Sequence, residues 1–211
     1  MSTITDKLKL IKPALSDEIQ QTIIDLGKNF QILDDASDLY LEAPPATGTW
    51  KRDAKIYKKN ATAEGYIGWI NLREGSAAPQ WNPLKSYTVG DKVVTASNNG
   101  HVYECTQSGR SGVTEPRFPV SAGSTIKDID RATTWQPSKK YELYHVVLPS
   151  LENNRFYVCT VAGISGVSEP TWSTLDGGTV DDGMVVWTGY RIATWKEAGP
   201  AASFRPFGKI D

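Results

Sequence analysis

The chain has 211 residues, of which 23 are basic and 24 acidic, giving a formal net charge of −1. That balance argues against nucleic-acid binding, which depends on clustered Lys and Arg, and no segment is long and apolar enough to span a bilayer or to act as a signal peptide. Eighteen Gly and twelve Pro indicate many turns and short strands, so we predict a mainly β chain. Without a signal peptide or a membrane span, we expect it to be synthesised and kept in a cytoplasm unless some assembly carries it elsewhere.

Residues 1–43 contain the predicted helix and are assigned as an anchoring or oligomerisation segment. Ser16 is the predicted N-cap, and apolar side chains recur at alternating spacings of four and three residues, with Thr22 and Asn29 completing the pattern. The stripe runs through Leu15, Ile19, Leu26 and Leu33, flanked by Ile23 and Phe30. Such a face either lies on the chain's own sheet or forms a short coiled-coil seam between identical chains.

Residues 44–80 are predicted to form a β-hairpin, which we interpret as a partial copy of the repeat that follows. Its two strands would be Gly48–Asp53 and Gly65–Leu72. The pattern Gly-x-x-x-Pro-x-aromatic, which ends here at Trp81, occurs twice more downstream. This recurrence is what relates the hairpin to the repeat.

An internal repeat follows the hairpin. Residues 81–119 align without a gap to residues 135–173 at a constant offset of 54, with 15 identities in 39 positions. The identical pairs begin with Trp81/Trp135 and end with Pro116/Pro170. We therefore predict two tandem antiparallel β modules, copy 1 at residues 81–134 and copy 2 at residues 135–190, with Trp135 closing the first and opening the second. Residues 191–211 would form a C-terminal arm, packed on a neighbour or poorly ordered.

The two cysteines occupy equivalent positions in the repeat. Strand alternation puts Cys105 on the same side as Tyr103, and Cys159 on the same side as Tyr157. Neither cysteine fits a metal-binding or catalytic spacing. The favoured interpretation is that each fills a core position in its own copy, and the alternative is a disulfide between copies that meet at this strand.

Residues of catalytic type show no arrangement that points to a reaction. His101 and His145 are not equivalent in the repeat, and no phosphate loop, nucleophile elbow or zinc-ligand spacing occurs. The adjacent Asp181 and Asp182 are assigned to a turn.

Two glutamates, Glu115 and Glu169, do recur between copies. Each precedes a proline, which favours a role in a turn, whereas a glycosidase needs two carboxylates facing each other across a cleft. We therefore predict that the protein is not an enzyme and that it uses no metal and no cofactor.

Aromatic side chains are the remaining candidates for a binding surface. Trp81, Trp135 and Trp187 are assigned to the core, because a small β module with few aliphatic residues must bury its aromatic ones. The residues predicted to contact a ligand or partner recur at matched sites and are Phe118, Trp172, Tyr87 and Tyr141. Burial in the core is the competing interpretation for these four.

Three motifs of copy 1 resemble those of a known group of modules. Trp-x-Pro-x-x-x-Tyr-x-x-Gly-Asp-x-Val, Gly-x-x-Tyr-x-Cys and Ser-Gly-x-x-x-Pro stand at Trp81–Val93, Gly100–Cys105 and Ser111–Pro116. The pattern resembles small chitin- and cellulose-binding modules, and more closely their versions in bacteriophage tail, collar and head-fibre proteins. Copy 2 departs from it, with Tyr144-His145 in place of Gly-Asp. The segment Gly48–Gly75 is similar to a hairpin common in phage fibre proteins.

The resemblance implies a virion protein: a fibre, spike or adaptor subunit of a phage head or tail, commonly trimeric and assembled in the host cytoplasm. Its partners would be other virion proteins of the capsid, collar or tail, together with host surface glycans. The alternative is a carbohydrate-binding accessory protein of a polysaccharide-degrading system. Neither function involves nucleic acid or membrane insertion.

Overall fold

The computed structural model describes residues 2–211, and this part of the chain contains one α-helix and 21 short β-strands. The helix, α1, spans Ile19–Asp35. The strands are β1 (Thr3–Ile4), β2 (Ile11–Lys12), β3 (Leu39–Leu41), β4 (Thr49–Trp50), β5 (Lys55–Lys58), β6 (Tyr66–Asn71), β7 (Gly75–Ser76), β8 (Ser86–Tyr87), β9 (Lys92–Val94), β10 (His101–Gln107), β11 (Gly109–Arg110), β12 (Thr125–Lys127), β13 (Thr133–Thr134), β14 (Lys140–Tyr141), β15 (Val146–Leu148), β16 (Arg155–Val161), β17 (Gly163–Ile164), β18 (Thr179–Asp182), β19 (Val185–Arg191), β20 (Thr194–Pro200) and β21 (Phe204–Lys209). The prediction of a mainly β chain is confirmed.

The chain divides into two compact units, and the first contains residues up to Pro44, Lys55–Ile70 and Pro206–Asp211. It holds α1, the hairpin β1–β2 and a four-stranded sheet in the order β21-β6-β5-β3. The predicted hairpin differs in its first strand, since β6 pairs with β5, whereas β4 pairs with β7. The chain turns at Asp53, whose φ is +65°, and the pairing with β6 begins only at Lys55.

Helix α1 contacts the hairpin of its own unit through Asn29. This residue donates a hydrogen bond from its side-chain amide to the Ile11 carbonyl and accepts one from the Ile11 N–H, both at 2.7 Å. Five apolar side chains of the helix are exposed, and they are Ile19, Ile23, Leu26, Phe30 and Leu33. The N-cap is Glu18, without a side-chain capping bond, so the prediction of Ser16 is wrong. Residues 14–17 form a separate turn before the helix, and Leu15 is exposed there.

The second unit, Pro45–Ala54 with Asn71–Arg205, contains the repeat. A four-stranded sheet in the order β12-β20-β10-β9 is accompanied by the pair β11–β8, and this fold is called module 1. A five-stranded sheet in the order β13-β15-β16-β19-β18 is accompanied by the pair β14–β17, and this fold is called module 2. Strands β8 to β12 correspond one by one to β14 to β18 at the offset of 54 residues.

The two modules are nested rather than consecutive. Module 1 comprises residues 81–128 and 193–200, because β20 pairs with both β10 and β12 and so completes its sheet. Module 2, residues 129–192, is inserted between β12 and β20. Its two ends lie side by side, since the Asp128 N–H donates to the Ala193 carbonyl at 2.9 Å. Trp195 rather than Trp135 therefore closes the first core, and the predicted C-terminal arm contributes a central strand instead.

The cores of the two modules match residue by residue. Module 1 buries Trp81, Tyr87, Val93, Tyr103, Cys105, Phe118 and Trp195. Module 2 buries Trp135, Tyr141, Val147, Tyr157, Cys159, Val185 and Trp187, with Trp172 packed against them. Both cysteines are buried and free, and each thiol donates to the carbonyl oxygen two residues later, at 3.1 and 3.2 Å. The predicted equivalence of the cysteines is confirmed, and no disulfide joins them.

Candidate functional site

A buried aspartate joins the two tryptophans in the core of module 1. Asp128 Oδ2 accepts hydrogen bonds from the indole Nε1–H of Trp81 at 2.8 Å and of Trp195 at 2.7 Å. Its Oδ1 accepts from the Gly112 N–H at 3.0 Å. We call this arrangement a Trp–Asp–Trp clamp, because it ties the first residue of the module to the strand that closes it.

Module 2 contains the same clamp, built on Asp182. This carboxylate accepts from the indoles of Trp135 at 2.7 Å and Trp187 at 2.8 Å, and from the Gly166 N–H at 2.7 Å. The assignment of Asp182 to a turn is wrong, since it ends strand β18 and is buried. The signal that could have found it is the offset of 54 residues, which continues beyond the aligned segment to Asp128 and Asp182.

The clamp places a titratable group inside an aromatic core. Burial raises the pKa of the Asp128 carboxyl, and the hydrogen bonds from the two indoles and Gly112 offset that effect only in part. The folded state therefore binds this proton more readily than the unfolded chain does. The contribution of Asp128 to stability falls as the pH rises from its ordinary pKa of 3.8 through the raised value.

Three of the four aromatic residues predicted to contact a ligand are buried. Tyr87 and Tyr141 are core residues, and each hydroxyl accepts a backbone N–H hydrogen bond, at 3.0 and 2.9 Å. Phe118 is only 8% exposed and packs on Tyr103 with ring centroids 4.2 Å apart. This burial favours the core interpretation for all three.

The fourth, Trp172, is partly buried against the core of module 2. Its ring lies 4.2 Å from that of Tyr157, centroid to centroid, and its indole N–H donates to Glu169 Oε1 at 2.8 Å. One face and the polar edge of the indole are therefore already used within the module. This geometry favours the core interpretation that Trp172 shares with its equivalent, Phe118.

The recurrent glutamates stabilise equivalent loops. Glu115 Oε1 accepts from the Ala96 N–H at 2.9 Å, and Glu169 Oε1 accepts from the Ser150 N–H at the same distance. Glu169 also binds the Ser150 hydroxyl. Burial acts to raise the pKa of Glu169, but the hydrogen bonds from Ser150 and Trp172 outweigh it and lower that pKa. Both carboxylates therefore have a structural role, because each accepts hydrogen bonds that hold a loop in place.

A third glutamate, Glu197, has no equivalent in module 2. It is buried and bonded to His101 Nδ1 at 2.9 Å, to the Gly199 N–H at 2.8 Å and to the Gly123 N–H at 3.0 Å. The hydrogen bond with His101, followed by those from the backbone, lowers the pKa of the Glu197 carboxyl. The ionised form is thus favoured in the folded protein.

We expect Glu197→Gln to weaken module 1 at neutral pH and to flatten its stability profile in acid. Because the folded pKa lies below the ordinary 4.5, ionised Glu197 stabilises the fold above pH 4.5, and this contribution is lost as the pH falls below that value. Urea denaturation across the acidic range measures the effect. Glu104→Gln, in a half-buried glutamate of the same sheet, is the control. An acid profile of E197Q parallel to that of the wild type would contradict this role.

Two clefts of similar size lie at equivalent places beside the modules. The first, about 360 Å³, is bordered by Lys85, Tyr87 and Gly90-Asp91. The second, about 350 Å³, is bordered by the equivalent Lys139, Tyr141 and Tyr144-His145. In each, the lysine Nζ lies over the tyrosine ring, at 5.1 and 5.3 Å from its centroid. The clefts therefore share part of their lining and differ at the Gly-Asp position.

The substitution of Tyr144-His145 puts an exposed aromatic ring at the second cleft. Tyr144 is 60% exposed. His145 keeps the turn that Asp91 makes in module 1, because its Nδ1 accepts from the Glu142 N–H at 3.1 Å, which leaves Nε2 as the protonated nitrogen. Asp130 and Arg131 line the same cleft. An exposed aromatic ring can stack on a polar ring of a ligand, and the polar groups beside it can hydrogen-bond that ligand. From the sequence, this position is only a departure from the motif of copy 1.

Within residues 2–211, no group of three or more His, Cys, Asp or Glu side chains is placed to hold a metal ion. The described helix is too short and too polar to cross a membrane. No family model, curated protein or solved structure matches the chain.

Proposed function

We propose that the chain is a non-enzymatic attachment protein of a bacteriophage particle, a fibre, spike or adaptor subunit of the head or tail. Helix α1 associates identical chains, most simply as a trimer, and the β modules serve as a scaffold that contacts other virion proteins or host surface glycans. Assembly takes place in the host cytoplasm. The motif resemblance of copy 1 and the presence of repeated β modules after a helix support this proposal.

The observation that carries the proposal is the exposed apolar stripe of α1. Ile19 is 81% exposed and Phe30 67%, and both lie in the series of Ile19, Ile23, Leu26, Phe30 and Leu33. Its spacings of four and three are those of a coiled-coil seam. Asn29, which is next to this series on the helix, bonds to the chain's own hairpin, while the five apolar side chains remain exposed and can meet another chain.

We expect Ile23→Glu to convert the assembled protein to folded monomers. A glutamate in the seam would bury an unpaired charge at a cost of about 1–3 kcal/mol or more per chain. Ile24→Glu is the matched control, because Ile24 is also exposed but lies outside the stripe. Sedimentation equilibrium distinguishes the two variants, and a wild-type protein that remains monomeric would contradict association through α1. Immunogold labelling of purified virions then tests the particle itself.

A second candidate function, a carbohydrate-binding accessory protein, is favoured by Tyr144 alone. The exposed ring beside the second cleft has the form of a sugar-stacking platform. By analogy with base stacking, one such contact is worth about 1–3 kcal/mol, so we expect Tyr144→Ala to weaken glycan binding about tenfold or more. Leu143→Ala, at the exposed neighbouring residue, is the control. Calorimetric titration with chitin or cellulose oligosaccharides measures the effect, and equal affinities of Y144A and the wild type would exclude this site.

A further inference from the structure

Module 1 holds module 2 through an apolar rim that meets the outer face of a sheet. The sheet face of module 2, opposite its aromatic core, presents Val146, Phe156 and Val158. Against it pack Leu84 and Val113 of module 1, next to Ile192, which ends module 2 and is 2% exposed. The rim of module 1 is therefore a docking surface, and the sheet face of module 2 occupies it.

Two polar side chains complete this docking surface. Gln107 Nε2 donates to the Ile192 carbonyl at 2.7 Å and to Asn154 Oδ1 at 3.3 Å. The guanidinium of Arg110 lies 4.4 Å from the ring centroid of Tyr190. Both contacts reach from strands β10 and β11 of module 1 to residues of module 2.

Module 2 has an equivalent rim that no described part of the chain covers. Val167 takes the place of Val113 and is 87% exposed. Met184, like Ile192, stands three residues before the closing tryptophan of its module, and it is 70% exposed.

The two polar positions become aliphatic in module 2. Val161 replaces Gln107 and Ile164 replaces Arg110, and both are exposed. Met184 and Ile164 are neighbours, since the Met184 N–H donates to the Ile164 carbonyl at 2.9 Å. A solvated rim would favour polar residues at the positions of Gln107 and Arg110, whereas module 2 has aliphatic residues there.

We propose that the rim formed by Val161, Ile164, Val167 and Met184 docks the apolar sheet face of a further β module carried by another protein chain. The proposal deepens the attachment function above, and its biological meaning rests on that function. The partner face is aliphatic or aromatic, in the manner of Val146, Phe156 and Val158. It carries no charged group opposite Ile164, because nothing on the rim would pair with it.

A second copy of this chain does not supply such a face. The outer face of module 2 is covered by the rim of module 1. The equivalent face of module 1, with Val94 and Val102, is covered by Ala78 and Ala201. Among the described residues of the two modules, both faces of the required kind are thus occupied within one chain, which favours an occupant from a different protein.

The test uses a third module as the probe. Residues 129–192 are duplicated and inserted in place of Gly183 and Met184, between Asp182 and Val185. Asp182 and Val185 pair across neighbouring strands. Asp128 and Ala193 are joined in the same way at the natural insertion point, where the Asp128 N–H donates to the Ala193 carbonyl. The inserted copy brings its own Ile192 to the position of Met184. Its sheet face is then offered to Val161, Ile164 and Val167.

Docking is read from the reactivity of a cysteine on the rim. Val167→Cys is introduced into both the natural and the three-module chain, where the native cysteines are buried. We expect maleimide labelling of this thiol to be about tenfold slower or more in the three-module chain, because the inserted sheet face covers it. Ile164→Glu should restore fast labelling, and Leu175→Glu, at an exposed residue off the rim, should not.

Protection of the inserted cysteine first establishes that the inserted module is folded. Two results would then overturn the proposal. One is fast labelling of V167C in a three-module chain whose inserted cysteine is protected, since the module would be folded but undocked. The other is concentration-dependent protection of V167C in the natural chain that Ile164→Glu removes, which would identify a second copy as the occupant. All measurements use purified protein, so failure of the virion assignment would leave them interpretable.

Discussion

Replacing Asp182 by alanine is expected to bring module 2 to the edge of unfolding. The substitution leaves the indole N–H groups of Trp135 and Trp187 and the Gly166 N–H without their acceptor inside the core. Each stranded buried donor costs roughly 1–3 kcal/mol. Domains of ordinary size have about 5–15 kcal/mol of stability in total. The loss is therefore a large fraction of what holds the module together.

Urea denaturation followed by tryptophan fluorescence measures this loss, and Asp181→Ala is the control because Asp181 is the exposed neighbour. The urea concentration that unfolds Asp182→Asn should lie between those of the two alanine variants. The amide oxygen of the new asparagine can still accept from the indoles, but its NH2 group faces the Gly166 N–H, which keeps no acceptor. Asp128→Ala should produce the corresponding loss in module 1. If D182A and D181A unfolded at the same urea concentration, the clamp would have no part in stability.

The repeat and most of its core could be predicted from sequence, because the physical requirement is local. Alternating residues on paired strands must face one interior, so Tyr103 with Cys105 and Tyr157 with Cys159 were placed correctly. The nesting of the modules could not be predicted in the same way. Trp135 and Trp195 both suit a closing position, and only the pairing of β20 with β10 and β12 distinguishes them. Strand pairing at such separation leaves little trace in a single sequence.

The candidate sites were predicted less well, for a related reason. An aromatic residue after a Gly-x-x-x-Pro turn fits both a rim and a core, and the stacking of Phe118 on Tyr103 decides for the core. Equivalent positions can also be buried in one module and exposed in the other, as Ile192 is buried whereas Met184 is exposed. That difference depends on which module packs on which, so it follows from the nesting and not from residue type.

Replacing Trp195 by alanine is expected to open module 1 while module 2 stays folded. Trp195 is fully buried, packs edge-on against Tyr87 with centroids 4.8 Å apart, and donates to Asp128. Truncation of a buried tryptophan costs about 3–5 kcal/mol. Module 2 keeps all of its core residues. The damage should therefore be confined to the first core.

The two buried thiols report the two modules separately. In W195A, a thiol reagent should modify Cys105 at a lower urea concentration than Cys159, and mass spectrometry of the digested protein identifies which one has reacted. Trp187→Ala is the matched variant, in the equivalent position of module 2, and it should reverse the order. If the modules were consecutive, with Trp135 completing the first core, W195A would leave Cys105 as protected as it is in the wild type. That result would rule out the nested arrangement, because Cys105 has Trp195 as its direct partner on the neighbouring strand.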